Sequence, residues 1–295
     1  MKLGILANPE KYSIKDPLQQ VLHWCDENGH TVFLSSAFAD SVAGISFNDT
    51  VKLMTSEEKC VVEADFIIAI GGDGTMLHAA RYVKHSNAPV LGINTGRLGF
   101  MANVQPNQIT EALTDLAEGQ FEIEERAMLH AATKDGDEFN ALNEFLFTKK
   151  DTSSMVSLRA DYDGTLLNRF WADGLLISTP TGSTAYNLSA GGPIVMPGTP
   201  VMIVTPINPH TLTTRPLVLP SDKKLVIEVE ERPDHILFSS DGRMFDKAIT
   251  TVEIQKSRLS IGLVMLKNQT YFETLRNKLM WGLDNRRGRD GQSDD

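Results

Sequence analysis

Between Ala64 and Val83 the chain reads ADFIIAIGGDGTMLHAARYV, an apolar run of strand length, then three glycines around one aspartate, then a helical segment. This passage constrains the fold more than any other. An apolar strand with no polar alternation is buried on both faces, and the helix after it covers one of them. The same alternation fills the N-terminal third, where KLGILAN, HTVFLSS, ADFIIAI and APVLGIN read as strands and DPLQQVLHWCDENG and GGDGTMLHAARYVKH as helices. It predicts βαβ units and a parallel, Rossmann-like sheet. In the first of these helices Leu18, Val21, Leu22 and Cys25 recur at spacings of three and four, giving one apolar stripe to pack on a sheet. Asp16 before Pro17 reads as that helix's N-cap.

After about residue 100 the texture changes. GQFEIEERAMLHAATKDGDEFNALNEFLFTK, MVSLRADYDGTLLNRFWADGLLIST and KLVIEVEERPDHILFSSDGRMF alternate apolar and polar residues between turn signals, the pattern of half-buried antiparallel strands. Asp163-Gly164 between two such runs predicts a tight hairpin. The expected fold class is therefore α/β plus all-β. A Rossmann-like domain of residues 1–100 with 268–295 carries the glycine turn, and a β-sandwich spans 101–267. QTYFETLRNKLMWG reads as an amphipathic helix, with Phe272, Leu275 and Leu279 on one side, that packs back on the first domain. The polar segment 284–295 reads as a disordered tail.

Bulk properties exclude several classes. With 41% hydrophobic and 22% charged residues the chain can bury a sizeable core, so it is not a disordered protein. No apolar run approaches the roughly 20 residues of a membrane helix, and MKLGILANPE meets Asn8 and Pro9 too early for a signal peptide. A cytoplasmic protein without a membrane partner is expected. The formal net charge of -10 argues against nucleic acid as a partner, since neutralising phosphates takes a basic surface. Any phosphate-bearing ligand must then be held locally, by backbone amides, a few basic residues or a metal ion. Cys25 and Cys60 are too few for a disulfide framework or a cysteine-rich metal site and read as buried apolar side chains.

Gly71, Gly72 and Gly74, between a buried strand and a helix, allow positive φ angles and let backbone N–H groups approach a ligand. With Thr75 they form a candidate phosphate or ATP site, although a tight structural turn accounts for the glycines equally well. The stretch is not a P-loop, because no Gly-Lys-Ser/Thr follows, and Leu77 stands where GxGxxG needs its last glycine. Asp73 shifts the balance. A carboxylate among phosphate-facing amides repels the ligand unless it coordinates a metal or takes a proton from an attacking hydroxyl, which points to phosphoryl transfer. Further along, STPTGSTAYNLS gathers hydroxyls around Tyr186. They can bind a ribose or a purine edge, or they can cap their own backbone. Ala185 stands where a GxSxG elbow needs glycine, which argues against a hydrolase serine. Asn143 and Glu144 are either a solvent-facing pair at a strand end or, with a bulge, both aimed at a cleft.

GGDGT at 71–75 resembles the signature of a kinase superfamily that contains NAD kinases, diacylglycerol and sphingosine kinases and 6-phosphofructokinases. LNEFLF, with Asn143 and Glu144, and DGLLISTPTGSTAYNLSAGGPI, from Asp173 to Ile194, closely resemble the NAD kinase family in particular. NTGRLGF at 94–100 and PHTLTTRPLV at 209–218 extend the likeness over most of the chain. The resemblance implies an ATP-dependent phosphotransferase that phosphorylates the adenosine ribose 2′-hydroxyl of NAD to give NADP and ADP. It implies Asp73 as the base, Mg2+ or another divalent ion as cofactor, and the adenosine end of NAD between the domains. By the same likeness Asn143 and Glu144 contact the ribose, while Asp173, Thr184, Ala185 and Ser189, with Tyr186, Asn187 and Leu188 between them, serve the adenine and nicotinamide ends. Gly74 and His78 border the glycine turn, although an isolated histidine is more commonly a partly buried helix residue. A homodimer or homotetramer is implied, with sites reached by residues of neighbouring subunits.

Two positions depart from the family pattern. Arg243, in SSDGRMF, stands where relatives often have glutamine and either binds the product's new phosphate or reshapes the site. Ser154 stands where a basic side chain or histidine is usual. A lipid kinase of the diacylglycerol type shares the glycine-aspartate turn, but TPTGSTAY and the lack of a membrane-binding segment count against it. The alternative from another class is a non-catalytic NAD(H) or NADP(H) sensor, which has no need of Asp73.

Overall fold

Five parallel strands carry the N-terminal alternation. The computed structural model describes residues 1–280 apart from 43, 83, 97–98, 152–154, 231, 246 and 268–269, so Ser154 and the polar tail lie outside the described residues. In chain order come β1 (Lys2–Ala7), α1 (Lys15–Glu27), β2 (Thr31–Ser35), α2 (Ser36–Ser41), β3 (Val51–Met54), α3 (Glu57–Glu63), β4 (Phe66–Gly71), α4 (Asp73–Ala80), β5 (Val90–Asn94) and α5 (Ile109–Ala117). The strands lie in the order β3-β2-β1-β4-β5, with Leu3 of β1 opposite Val32 of β2 and Ile5 opposite Ile68 of β4. Strand order reverses between β1 and β4, and the carboxyl ends of strands at such a switch point are where open α/β sheets bind ligands. β4 ends there, at Gly71.

The stripe read for α1 is the stripe that packs, since Leu18, Val21, Leu22 and Cys25 are all in the core. Its N-terminus differs from expectation. A single 3₁₀ turn over Tyr12–Ile14 leads into the helix and puts Ile14, not Asp16, at the N-cap. Asp16 stands instead in the first turn, where its charge suits the helix dipole and where Pro17 breaks no intrahelical bond. Burial pushes the thiols of Cys25 and Cys60 up to about 12, so both are unreactive core groups.

The chain divides into two compact units, Met1–Glu124 with Gly262–Asp295, and Glu125–Ile261. The sequence texture changes at residue 100, but α5 lies beyond that point and contributes Ile109, Ala112, Leu113 and Leu116 to the same core as α1. Segment 101–124 therefore goes with the first unit.

The second unit is a sandwich of antiparallel strands. They are β6 (Phe121–Thr133, in this unit from Glu125), β7 (Glu138–Ala141), β8 (Glu144–Lys149), β9 (Val156–Tyr162), β10 (Thr165–Ala172), β11 (Gly174–Ser178), β12 (Val201–Ile207), β13 (Leu217–Pro220), β14 (Leu225–Val229), β15 (Ile236–Ser240), β16 (Arg243–Phe245) and β17 (Thr251–Leu266, in this unit as far as Ile261), with a short helix α6 (Tyr186–Ser189) after β11. One sheet runs β13-β12-β11-β8-β15-β16, and the other includes β10-β9-β14-β17. Their inner faces share one core, in which Phe145 and Phe147 of β8 meet Phe238 of β15. The hairpin between β9 and β10 turns on Asp163 and Gly164, both at positive φ, as the dipeptide predicted.

A last helix, α7 (Tyr271–Leu279), opens with a capping box between Thr270 and Glu273 and belongs to the first unit. Leu275 is buried, but Phe272 is 50% exposed. The inward face is set one position round from the predicted stripe, with Tyr271 packed on Phe100 at 6.3 Å between ring centroids and Lys278 above the same ring.

Candidate active site

The glycine turn places a carboxylate at the first position of α4, immediately beyond β4. None of Gly71, Gly72 and Gly74 has positive φ, contrary to expectation. What the turn uses is the missing Cβ. A side chain at Gly71 would overlap Thr75, whose side chain is buried against it, whereas Gly72 and Gly74 leave their Cα faces open. The N-terminal amides of α4 thus stand beside uncovered backbone, an arrangement suited to an anion.

Asp73 itself is held from four directions. Its Oδ2 accepts the Phe100 N–H at 2.9 Å and Lys278 Nζ at 3.1 Å, and its Oδ1 accepts the N–H groups of Met101 at 2.9 Å and Ala102 at 3.3 Å. Burial acts to raise the carboxyl's pKa, but the amides of Phe100 and Met101 together with Lys278 outweigh it and hold the group below the usual carboxylate range. His78, one turn further along α4, points to a different partner. Its Nε2 lies 2.7 Å from Glu57 Oε2, which also accepts the Tyr82 hydroxyl at 2.8 Å. The His78 contact is the main cause that keeps the Glu57 carboxyl low.

In the second unit three separate stretches of sequence converge. Asn143 is buried in the turn before β8 and Glu144 opens that strand, so the pair sits at a strand entry. The hydroxyl of Thr179 donates to the Leu142 carbonyl at 2.6 Å and that of Ser178 to the Asn143 carbonyl at 3.2 Å, while the Thr179 N–H donates to the same Asn143 oxygen at 2.8 Å. A Cβ at Gly182 would overlap the Asn143 carbonyl, so the close approach of these two turns requires glycine there. The third stretch is Asp241, whose carboxylate accepts three consecutive N–H groups, from Leu142 at 2.8 Å, Asn143 at 2.7 Å and Glu144 at 3.1 Å. Burial, and then the Asp241 charge, push the Glu144 carboxyl up to about 8. Its Oε2 is shut off from solvent with no hydrogen-bond partner.

The remaining predicted residues divide between exposed and structural positions. Tyr186, Ser189 and Arg243 are exposed, and Thr184, Ala185 and Leu188 are half-buried. Asn187 is wholly buried and already committed. Its amide nitrogen donates to the carbonyls of Ser183 and Pro193, and its Oδ1 accepts the Thr205 hydroxyl at 2.6 Å. Asp173 is paired with Lys149 at 2.6 Å and accepts Asn208 Nδ2 at 3.1 Å, contacts that hold its carboxyl low. It precedes β11, whereas Ser178 ends that five-residue strand, so Asp173 lies about 16 Å from the Asn143 turn.

Neither Asp241 nor Lys278 is a predicted site residue. Asp241 had a signal, because Asp-Gly at 241–242 is the same hairpin dipeptide as 163–164 and both of its residues have positive φ. Lys278 had none, being 205 residues from its partner.

Residues 3–121 match the family described as ATP-NAD kinase N-terminal domain, and residues 142–266 the ATP-NAD kinase C-terminal domain. Among curated relatives, an NAD kinase of Cytophaga hutchinsonii is 43% identical over 226 residues, 75% of this chain and 77% of its own. An NAD kinase of Flavobacterium psychrophilum is 35% identical over 97% of this chain and 100% of its own. Among solved structures, yeast NADH kinase complexed with NADH superposes with a TM-score of 0.86 at 24% identity, covering 96% of this chain and 88% of that one. An NAD kinase from Archaeoglobus fulgidus in complex with ATP gives 0.72 at 24% identity, covering 95% and 99%.

Proposed function

The chain belongs to the NAD kinase family, and on that premise we propose that it transfers the terminal phosphoryl group of ATP to the adenosine ribose 2′-hydroxyl of NAD, yielding NADP and ADP. The observation that carries this reading is the Asp73 carboxylate, kept ionised at the switch-point end of β4 beside the open amides of α4. In the reaction the 2′-hydroxyl proton passes to Asp73, the ribose oxygen bonds to the terminal phosphorus, and the bond to the bridging oxygen breaks with ADP leaving. Phosphoryl transfer needs little covalent help, so positioning supplies most of the acceleration.

Asn143 and Glu144 are assigned to the ribose. With its carboxyl pushed up to about 8, Glu144 is protonated at neutral pH and can donate as well as accept. Tyr186 and Ser189, exposed on α6, are assigned to the nicotinamide and adenine ends with Thr184, Ala185 and Leu188, and Arg243 to the anionic end of a nucleotide. Gly71, Gly72, Gly74 and Thr75 are assigned to the phosphates of ATP. Asn187 acts by fixing the turn that presents its neighbours. Asp173 is assigned to the ligand site of a second subunit in a homodimer or homotetramer, which its distance from the Asn143 turn along β11 supports.

Among the described residues no three His, Cys, Asp or Glu side chains converge, and the acceptor sites of Asp73 are taken by N–H donors. This donor set does not fit a protein-held Mg2+, so in this reading the ion comes with ATP and no step is assigned to it. Among the described residues no helix is long and apolar enough to cross a membrane. We assign the enzyme to the cytoplasm, where both nucleotides are found.

The test is to incubate the purified protein with NAD, ATP and Mg2+ and follow ADP release together with NADP, the latter through an NADP-specific dehydrogenase. The proposal requires the two products in equal amounts. Bound NAD with neither product would identify a sensor instead, and ADP without NADP a different acceptor.

A further inference from the structure

A carboxylate offers about four lone-pair sites, and four donors already occupy those of Asp73. Met101 and Ala102 hold Oδ1, and Phe100 and Lys278 hold Oδ2. If Asp73 is to meet a ribose hydroxyl, as the function proposed above requires, one of the four must yield. The three amides belong to consecutive buried residues, so none can leave without moving the segment that carries all of them. Lys278 is different, being an ammonium on a flexible four-carbon stem, with a side chain 31% exposed. It also has a second partner in place, because its Nζ lies 4.3 Å from the centroid of the Phe100 ring. A displaced ammonium therefore stays beside the N-terminus of α4, where the phosphates of the donor are assigned.

We propose that Lys278 is a working member of the phosphoryl-transfer centre, whose ammonium passes from Asp73 to the transferring phosphoryl group as the substrate hydroxyl takes its place on Oδ2. The exchange keeps the charges matched at each stage. Before substrate arrives, the ammonium neutralises a carboxylate that would otherwise repel an incoming polyphosphate. Once it has moved, Asp73 has lost a stabilising cation and is a stronger base, and the phosphoryl oxygens have gained one. Among the described residues Lys278 is the charged group that faces Asp73. The segment at Phe100–Ala102 presents backbone amides there, and His78 of α4 is turned to Glu57. α7 is docked by Leu275 in the core and by Tyr271 on Phe100, so Lys278 starts from a fixed position.

The experiment compares the full-length wild type with K278Q and K278R, measuring NADP formation with NAD and ATP varied separately, the pH profile of kcat/KM, and the melting temperature. Removing the cation should cut kcat/KM for ATP by about tenfold or more while leaving KM for NAD no higher. It should also move the acid limb of the kcat/KM profile, which reports the free enzyme, to higher pH, because there Asp73 loses a group that holds its pKa down. K278R, which keeps the charge, should retain most of the activity and the wild-type acid limb. Wild-type kinetics and pH profile in K278Q would overturn the proposal, as would faster turnover, which would make Lys278 only an obstruction. A fall in NAD and ATP affinity alike in both variants, with a lowered melting temperature, would reduce Lys278 to a helix anchor and overturn it too. A wild type that forms no NADP would remove the functional assignment itself, and the role of Lys278 with it.

Discussion

Glu144 is a residue whose chemistry the fold alters strongly. Its carboxyl is pushed from 4.5 up to about 8, so folding favours the protonated form. The stability gained that way is complete below pH 4.5 and is lost as the pH rises through about 8, because above 4.5 the unfolded chain releases a proton that the folded one keeps. Melting curves of wild type should therefore fall across this window by an amount on the order of a few kcal/mol, whereas Glu144→Gln should stay flat there and be the more stable at pH 8. Parallel curves for the two proteins would contradict the assignment. At this scale legibility depended on anomaly. A carboxylate inside a glycine turn is out of place unless it works, so Asp73 was conspicuous in the sequence. His78 gave no hint of Glu57, which sits on a helix that could not be read, and a lysine near the end of α7 looks like any other surface lysine.

The elements explain how two aspartates come to do similar jobs. Asp73 gathers the amides of Phe100, Met101 and Ala102, and Asp241 gathers those of Leu142, Asn143 and Glu144. In each case one charged acceptor takes three consecutive backbone N–H groups. Asp241→Ala should lower unfolding stability by about 3 kcal/mol in urea titrations, since three amides lose a charged acceptor, and should raise KM for NAD by loosening the Asn143 turn. Asp241→Asn should cost less, because asparagine tolerates the positive φ and its oxygen still accepts. An unchanged midpoint in the alanine variant would mean that the turn holds itself. The strands β1, β2, β4 and β5 and the runs that hold β6–β11 and β14–β16 were legible from their apolar patterns, as were α1 and the Asp163-Gly164 turn, whereas β12, β13 and β17 were not singled out. β3, α2 and α3 were not legible, because short elements built largely of polar or mixed residues give no clear period and owe their structure to the cores they meet; α5 did carry a signal, since Ile109, Ala112, Leu113 and Leu116 keep a helical spacing. α7 was legible as a helix but not in its facing, since its inward side includes a lysine chosen for a charge rather than for burial.

For the whole molecule, two textures in the sequence become two compact units, each with its own core. The change of texture at residue 100 precedes the structural boundary because α5 returns to the first core before the long β-strands begin. A formal net charge of -10 leaves the chain poorly suited to attract nucleotides at long range, so the proposed binding calls on local donors, a role assigned above to the α4 amides and Lys278 in the first unit. The central claim is that the aspartate of the glycine turn takes part in the transfer of a phosphoryl group to NAD. The most direct test is the turnover of Asp73→Asn with NAD and ATP, alongside calorimetric titration of NAD into the same variant. Asparagine keeps the size and one acceptor oxygen but cannot take the proton. Turnover should fall by about a hundredfold or more while NAD still binds, and near-normal turnover would contradict the account.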